Sequence, residues 1–537
     1  MNRRLPSLSL GLGLLLAVAS GSAPCRANIV LPPILSDNMV LQQRDKVNIW
    51  GKADPGENIT VQMGPYAAQA VADKEGNWGV KLAGIKSGGP YELTVFGKNS
   101  VTVHNVAVGE VWVCSGETNM DQKVITARGG LEESADGDLP MVRVFTVWHN
   151  PADKPETECD GSWVVCDPMT ARNYSAIGFF FARELNRGMH VPIGLIQSAW
   201  GPSPIESWIP RETLEKDPAL RGTLERYEKA SAAYPKALAE YQTKLAGWKV
   251  AAEAAKAAGS PAPWAPMPPL NPSGARQPGA LYNGMISPLL RFPIRGVLWY
   301  QGESNTYEPD LYRKLFPALI TSWRKAWNEG DFPFLYAQIS GFPTRHDQPE
   351  ESEWANLREA QVTNLPKAAM AVTVDLADPN DMHPKDKKTI AHRLALLAES
   401  QVYGKTGLDI SGPVFSGMQI EGGKAVLAFS HAPGGLVDRK KPPLEGFQIA
   451  GEDRKFVWAD AAIQGDKVVV QSKEVPSPVA VRYAWADLPN CDLENKDGLP
   501  AAPFRTDHWV EGESASSPTP TASPTPARHH HRAARDE

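Results

Sequence analysis

The chain is poor in cysteine, in basic excess and in long apolar runs, and each shortage removes a class of protein. Five cysteines occur in 537 residues. None has zinc-site spacing and no histidine pair stands near them, so a structural zinc module is excluded. Lysine plus arginine number 55 against 61 aspartate plus glutamate, a net charge of -6. Nucleic acid is therefore not an expected partner, and nothing in the charge calls for an anionic membrane. Beyond the first 27 residues no apolar stretch is long enough to span a bilayer.

What is present begins with a leader-like pattern. Arg3 and Arg4 precede an apolar run at 8–18, and small residues follow to Ala27. The run is too short for a stable anchor, so residues 1–27 are expected to be a secretory signal and the mature protein exported, to the periplasm or outside the cell. Exported chains can form disulfides. Cys159 and Cys166 flank the stretch CDGSWVVC and are read either as a local bridge or as two separate buried thiols. Sixteen tryptophans are read mainly as core residues, with sugar-facing surfaces the other use.

The pattern changes along the chain. Residues 28–105 carry short, part-alternating strands separated by turn clusters, as in a small β-sandwich. From 106 to 407, apolar strand-like runs at 108–114, 191–197, 296–300, 334–339 and 369–374 alternate with helical stretches, the clearest at 175–187 and 387–400. That alternation predicts an α/β unit, a parallel sheet flanked by helices. An insertion at about 211–272 reads as a helical hairpin followed by a Pro-rich extended segment, either a lid or an outrigger. Residues 408–512 return to β character. Residues 513–537 are a Ser/Thr/Pro tail ending in RHHHRAARDE, expected to be disordered and without a site.

Chemistry-bearing residues gather in the α/β region. VWVCSGETNM at 111–120 reads as a buried strand entering a Gly-containing sharp turn, with the hydroxyl of Thr118 where a nucleophile would project. Ester hydrolysis by a hydroxyl also needs a base, a group to orient that base and donors for the oxyanion. His383 lies on a loop between an apolar run and a helix, and Pro384 biases it away from helical geometry. GVLWYQGESN at 296–305 and IQSAWGPSPIESW at 196–208 are strands running into polar turns. An open α/β sheet gathers such residues at the carboxyl ends of its strands.

These blocks resemble the sialate O-acetylesterase family, a branch of the SGNH hydrolases. ILSDNMVLQQRDKVNIWGKADPGE, LYNGMISPLL, WANLREAQ, VRYAWADLP and GLPAAPFRTD extend the likeness over nearly the whole mature chain. The resemblance implies an SGNH-like sheet with β-rich domains at both ends. It implies an exported esterase that removes acetyl groups from sialic acid or related glycans without a cofactor or metal. It implies His383 as base, Gly201 and Gln301 as oxyanion donors, and Glu303 and Asn305 as supports. Many SGNH enzymes orient the histidine with an aspartate three residues earlier, where this chain has Asn380. Asp381 is preferred instead, with Asp378 or a backbone carbonyl as alternatives. Oligomeric state and the particular sugar are not legible.

Three positions depart from the family pattern. Thr118 stands where the family has serine, Glu117 where it has glutamine, and Pro202 where it has a second glycine. The threonine methyl stiffens χ1 beside the attacking oxygen. A carboxylate roughly 6 Å from the oxyanion would oppose it by about 3 kcal/mol at an effective dielectric of about 20 unless its side chain turns aside. Pro202 has no N–H to donate. Ser115 is the weaker candidate nucleophile, since it sits in the strand end. Two readings follow: an esterase using Thr118, and a catalytically impaired glycan-binding or scaffold protein on the same fold.

Overall fold

One long strand ties the first two regions together. Ser100–Gly116 (β1) runs for 17 residues. Its first part pairs antiparallel with Gly88–Phe96, and residues 107–109 pair in parallel with Val40–Gln42. Its last part enters the central sheet. The boundary expected at 105/106 therefore falls inside a continuous strand, and the N-terminal β region is joined to the α/β unit through β1. The computed structural model describes residues 29–44, 46–440 and 442–509. The expected signal segment, 1–27, and the tail from 513 with its three histidines lie outside the described residues.

The central sheet adds Leu139–Val147 (β2), Gly161–Cys166 (β3), Ile193–Ala199 (β4), Gly296–Tyr300 (β5), Phe334–Ala337 (β6) and Ala368–Ala371 (β7). Their order is β7-β6-β5-β1-β4-β2-β3, with every pairing parallel except β2 with β3. The sheet is accompanied by helices α1 (Thr118–Asp121), α2 (Ala176–Met189), α3 (Gly222–Ala257), α4 (Pro309–Trp327) and α5 (Lys387–Gln401). Both faces of β1 are covered, as its near-continuous apolar run requires. Trp112 and Cys114 share a core with α2 and α5. Val111 and Val113 belong to a second core with Trp299, Phe334 and the apolar side of α4.

The neighbours of β1 lie on opposite sides and come from different parts of the chain, so a crevice opens at its carboxyl end. Register places Gly116 of β1 opposite both Ala199 and Tyr300. Three strands thus finish at one level, and the loops that follow them converge.

One local expectation is corrected, and two open alternatives are resolved. The insertion is no hairpin: a short helix, Arg211–Lys216, leads into the single 36-residue helix α3, roughly 54 Å long at 1.5 Å per residue. Pro235 and Gly247, where a hairpin would turn, both lie inside it. Thr223 and Leu224 are its buried residues, so α3 projects as an outrigger, not a lid. Its root is tied by Arg226 to Glu308 at 2.6 Å, and the Pro-rich return lies along it, with Trp248 Nε1 donating to the Pro263 carbonyl at 2.7 Å. Of the two readings of Cys159 and Cys166, the structure shows separate free buried thiols. The extended strand β3 lies between them at roughly 3.3 Å per residue, too far for a bridge spanning at most about 7 Å between Cα atoms.

The C-terminal region is β-rich, as its pattern predicts. Val414–Glu421, Lys424–Ser430, Asp460–Gln464 and Lys467–Gln471 form one antiparallel sheet, and Phe447–Ala450 with Ala480–Tyr483 belong to another. It docks through the buried Arg358, whose guanidinium donates to the Ser340 carbonyl at 2.6 Å and to the Ala486 carbonyl. Among the described residues no helix is long and apolar enough to cross a membrane.

Gly116 has φ +135°, and a Cβ there would lie 2.0 Å from the Tyr300 carbonyl oxygen. Gly116→Ala is expected to lose about 3 kcal/mol in urea unfolding, the upper end for ordinary substitutions. An unchanged midpoint would contradict this packing.

Candidate active site

The turn after β1 begins at Gly116 and is fixed by Glu117 N–H donating to the Tyr300 carbonyl at 3.0 Å. Helix α1 then starts with Thr118, which is half-buried. Neighbours hold this short helix in place. Ser175, the N-cap of α2, donates its hydroxyl to the Met120 carbonyl at 2.6 Å, and Gln197 Nε2 donates to Asp121 at 3.2 Å.

Gly201 closes on this turn from the end of β4. Trp200 N–H donates to the Gly116 carbonyl at 3.1 Å. A Cβ on Gly201 would lie 2.1 Å from Thr118 Oγ1 and 2.3 Å from its nitrogen, so only glycine fits. The Thr118 side-chain atom nearest that Cβ position is the hydroxyl oxygen, not the methyl. Among the described residues neither the Thr118 N–H nor the Gly201 N–H has an acceptor. These two N–H groups are the candidate oxyanion donors, and Pro202 takes no part.

The loop between β7 and α5 carries the candidate base. Asp381 Oδ1 accepts from His383 Nδ1 at 2.8 Å and from the His383 N–H at 2.9 Å. Its other oxygen pairs with Lys385 Nζ at 2.7 Å. Of the three orienting groups considered, the structure puts Asp381 on the ring nitrogen. Burial raises the Asp381 carboxyl, but hydrogen bonds from Lys385 and from the His383 backbone and ring outweigh it and bring it down to about 2. The loop is laid over the nucleophile segment. Lys387 Nζ donates to Asn119 Oδ1, and Arg128 N–H donates to the Lys385 carbonyl at 2.8 Å. Among the described residues no hydrogen bond joins Thr118 Oγ1 to His383. In substrate-free sites such bonds are often long and tighten on binding.

Gln301 is placed differently from the expectation of an oxyanion donor. It is fully buried, and its amide donates to Asn305 Oδ1 at 2.7 Å and to the Ser203 carbonyl at 3.3 Å. With its hydrogens committed, it braces two turns behind the site. Asn305 extends that brace, accepting from the Ile205 N–H at 2.9 Å and donating to Glu206 at 3.0 Å. Glu303 accepts from Asn119 Nδ2. Glu117 is buried and turned aside, with its Oε1 accepting the Gly302 and Ser304 N–H groups at 3.0 and 3.1 Å. Ser115 is fully buried and cannot meet a substrate. Sequence reasoning missed Asn119 and Lys387. Asn119 lies within the nucleophile block, but Lys387 sits in a run of charges that reads as a solvated helix start.

Comparison with known proteins points to one family of carbohydrate esterases. A family described as carbohydrate esterase, sialic acid-specific acetylesterase, matches residues 258–398. The chain is 29% identical over 544 residues to a sialate O-acetylesterase from Rattus norvegicus, across 92% of this chain and 97% of the relative. It is 29% identical over 525 residues to the sialate O-acetylesterase of Homo sapiens, across 88% and 91%. A solved carbohydrate acetylesterase from Xanthomonas citri superposes with a TM-score of 0.76 at 35% identity, over 90% of this chain and all of that one.

Asp381 yields a pH prediction. A carboxyl held below its unfolded-state value contributes stability that is present above that value and lost as pH falls through the folded one. The stability difference between the natural chain and Asp381→Asn should therefore be constant above about pH 5 and shrink from the ordinary value of 3.8 toward about 2. Urea unfolding at a series of pH values checks this. A difference that grows on acidification would contradict the assignment.

Proposed function

This chain belongs to the sialic acid-specific acetylesterase family of carbohydrate esterases, and from that premise we propose an exported hydrolase that removes O-acetyl groups from sialic acid or a related acetylated glycan. The observation that carries the reading is the approach of Gly201 to Thr118, which sets a hydroxyl oxygen beside two N–H groups that have no acceptor among the described residues. Export is supported by the basic, apolar and small-residue succession of the first 27 residues.

In this mechanism Thr118 Oγ1 attacks the acetyl carbonyl carbon while its proton passes to His383 Nε2. Asp381 holds the ring through Nδ1–H and stabilises the imidazolium that forms. The tetrahedral oxyanion is met by the N–H groups of Thr118 and Gly201. Collapse breaks the bond to the sugar oxygen, which leaves with the proton from His383. Water, deprotonated by the same ring, then hydrolyses the acetyl-threonine ester.

The threonine is the weak point. Its methyl restricts χ1, and a misplacement of about 1 Å costs on the order of 100-fold. The observed rotamer already presents the hydroxyl to Gly201, which favours turnover over the second reading, an impaired glycan-binding protein.

The test is acetate release from a small aryl acetate and from acetylated sialic acid. Thr118→Val and His383→Ala are expected to fall to the background rate and Thr118→Ser to match or exceed the natural chain. Asp381→Asn is expected to lose on the order of 10⁴-fold, or to reach background first. Gly201→Ala should lose at least about 100-fold, because its methyl would lie 2.1 Å from Thr118 Oγ1 and displace the nucleophile. If the natural chain and His383→Ala share one background rate while Thr118→Ser is active, the esterase reading fails and the glycan-binding reading replaces it.

A further inference from the structure

Behind the nucleophile turn lies a buried charged cluster that the reaction described above does not use. Glu117 Oε1 accepts the Gly302 N–H at 3.0 Å and the Ser304 N–H at 3.1 Å, and its Oε2 accepts the Ser304 hydroxyl. Three donors satisfy it as an anion. Glu303, on the same turn, faces Glu117 and interacts with it as an acid pair. Its Oε1 accepts from Asn119 Nδ2, while its Oε2 is sealed from solvent and has no donor among the described residues. An ionised oxygen buried without a donor beside another carboxylate is strongly disfavoured, and a proton there removes both penalties.

The same amide reaches the other side of the site. Asn119, next to Thr118, accepts from Lys387 Nζ at its Oδ1, and Lys387 is fully buried 5.5 Å from the Tyr300 ring. One side chain therefore joins the 302–305 turn, the helix that opens with Thr118 and the first turn of α5, four residues beyond His383.

We propose that Glu303 is a positioning residue kept as a neutral acid by the Glu117 carboxylate, and that the chain Glu303–Asn119–Lys387 sets Thr118 against His383. Its catalytic consequence rests on the esterase reading above. The ionisable groups facing the cluster are consistent with it. Burial and the charge of Glu117 push Glu303 up to about 8, against hydrogen bonds from its own N–H and from Asn119. Burial brings Lys387 down to about 7, with Lys385 adding to the shift and Glu303 and Asp381 opposing it. Tyr300 and Tyr312, packed against the pair, are pushed up by burial and stay neutral. The groups titrate together, so what an experiment reads belongs to the cluster.

The sign of the effect follows. The raised Glu303 contributes stability that is complete below its ordinary value of 4.5 and lost as pH rises through about 8. The depressed Lys387 acts oppositely: the cost of its buried charge is relieved as pH rises from about 7 toward 10.5. Glu117→Gln keeps the hydrogen bonds, with Oε1 accepting both N–H groups and the amide donating to Ser304, yet removes the like charge. Glu303→Gln fixes the neutral state.

The experiment follows thermal unfolding of the full chain and both variants across neutral and mildly alkaline pH, together with kcat/KM normalised to each protein's own maximum. The Tm advantage of each variant over the natural chain should grow between about pH 5 and 8, reaching on the order of 2–4 °C. The activity fall above about pH 8 in the natural chain should flatten in both variants. A merely structural Glu303 leaves the pH dependence unchanged. Parallel Tm curves and superimposable activity profiles for all three proteins would overturn the proposal. The thermal arm needs no turnover, so failure of the esterase reading is distinguishable. If the natural chain is inactive, the activity arm is read in the Thr118→Ser background.

Discussion

The close passage of Gly116 over the Tyr300 carbonyl is the contact on which the site depends. It requires a residue without a side chain, because a Cβ would lie 2.0 Å from that oxygen. It lets β1 end abruptly beside β5, so that the next residues turn out of the sheet and Thr118 opens a helix at the rim. Parallel register fixes Ala199 and Tyr300 at the same level as Gly116, and the turns after those strands deliver Gly201 and Glu303. A second close approach, Gly201 against Thr118, completes the arrangement from the opposite side. Both rest on glycine being small, and Gly116 also on its positive φ of +135°.

The remaining elements hold these approaches in place. Buried tryptophans brace the turn beyond Gly201: Trp208 donates to Ser203 Oγ at 2.9 Å, and Trp323 donates to the Trp208 carbonyl at 2.9 Å. Gln301 and Asn305 connect that turn to the end of β5. Lys387 and Asn119 connect the helix that follows the His383 loop to the helix that opens with Thr118. The polar residues behind the site thus work as cross-links between loops that the sheet alone would leave independent, as buried networks do when their members find partners.

Much of this was legible in the sequence, for physical reasons. Continuous apolar runs marked the buried parallel strands, and Pro384 marked the loop that carries His383. Asp381 was the acid nearest the histidine, although spacing alone left Asp378 and a backbone carbonyl open. What was not legible depends on where a side chain turns. Gln301 stands at the end of a strand beside the site, yet its amide is spent on Asn305 and Ser203, which no local pattern reveals. Glu117 adjoins the nucleophile in sequence but faces the 302–304 turn. Lys387 reads as solvent-exposed because its neighbours are charged, and only the fold buries it. The 36-residue helix α3 has so weak an apolar stripe that a continuous helix and a hairpin predict similar patterns.

The proposed role of Thr118 as nucleophile stands or falls on a covalent intermediate, which can be trapped. The full chain is mixed with an aryl acetate, quenched in acid within the first turnover, digested and mapped by mass spectrometry. The expected result is an acetyl group on Thr118 that is lost in His383→Ala. An acetyl group confined to another residue, or labelling of Thr118 that is equal with and without His383, would contradict it.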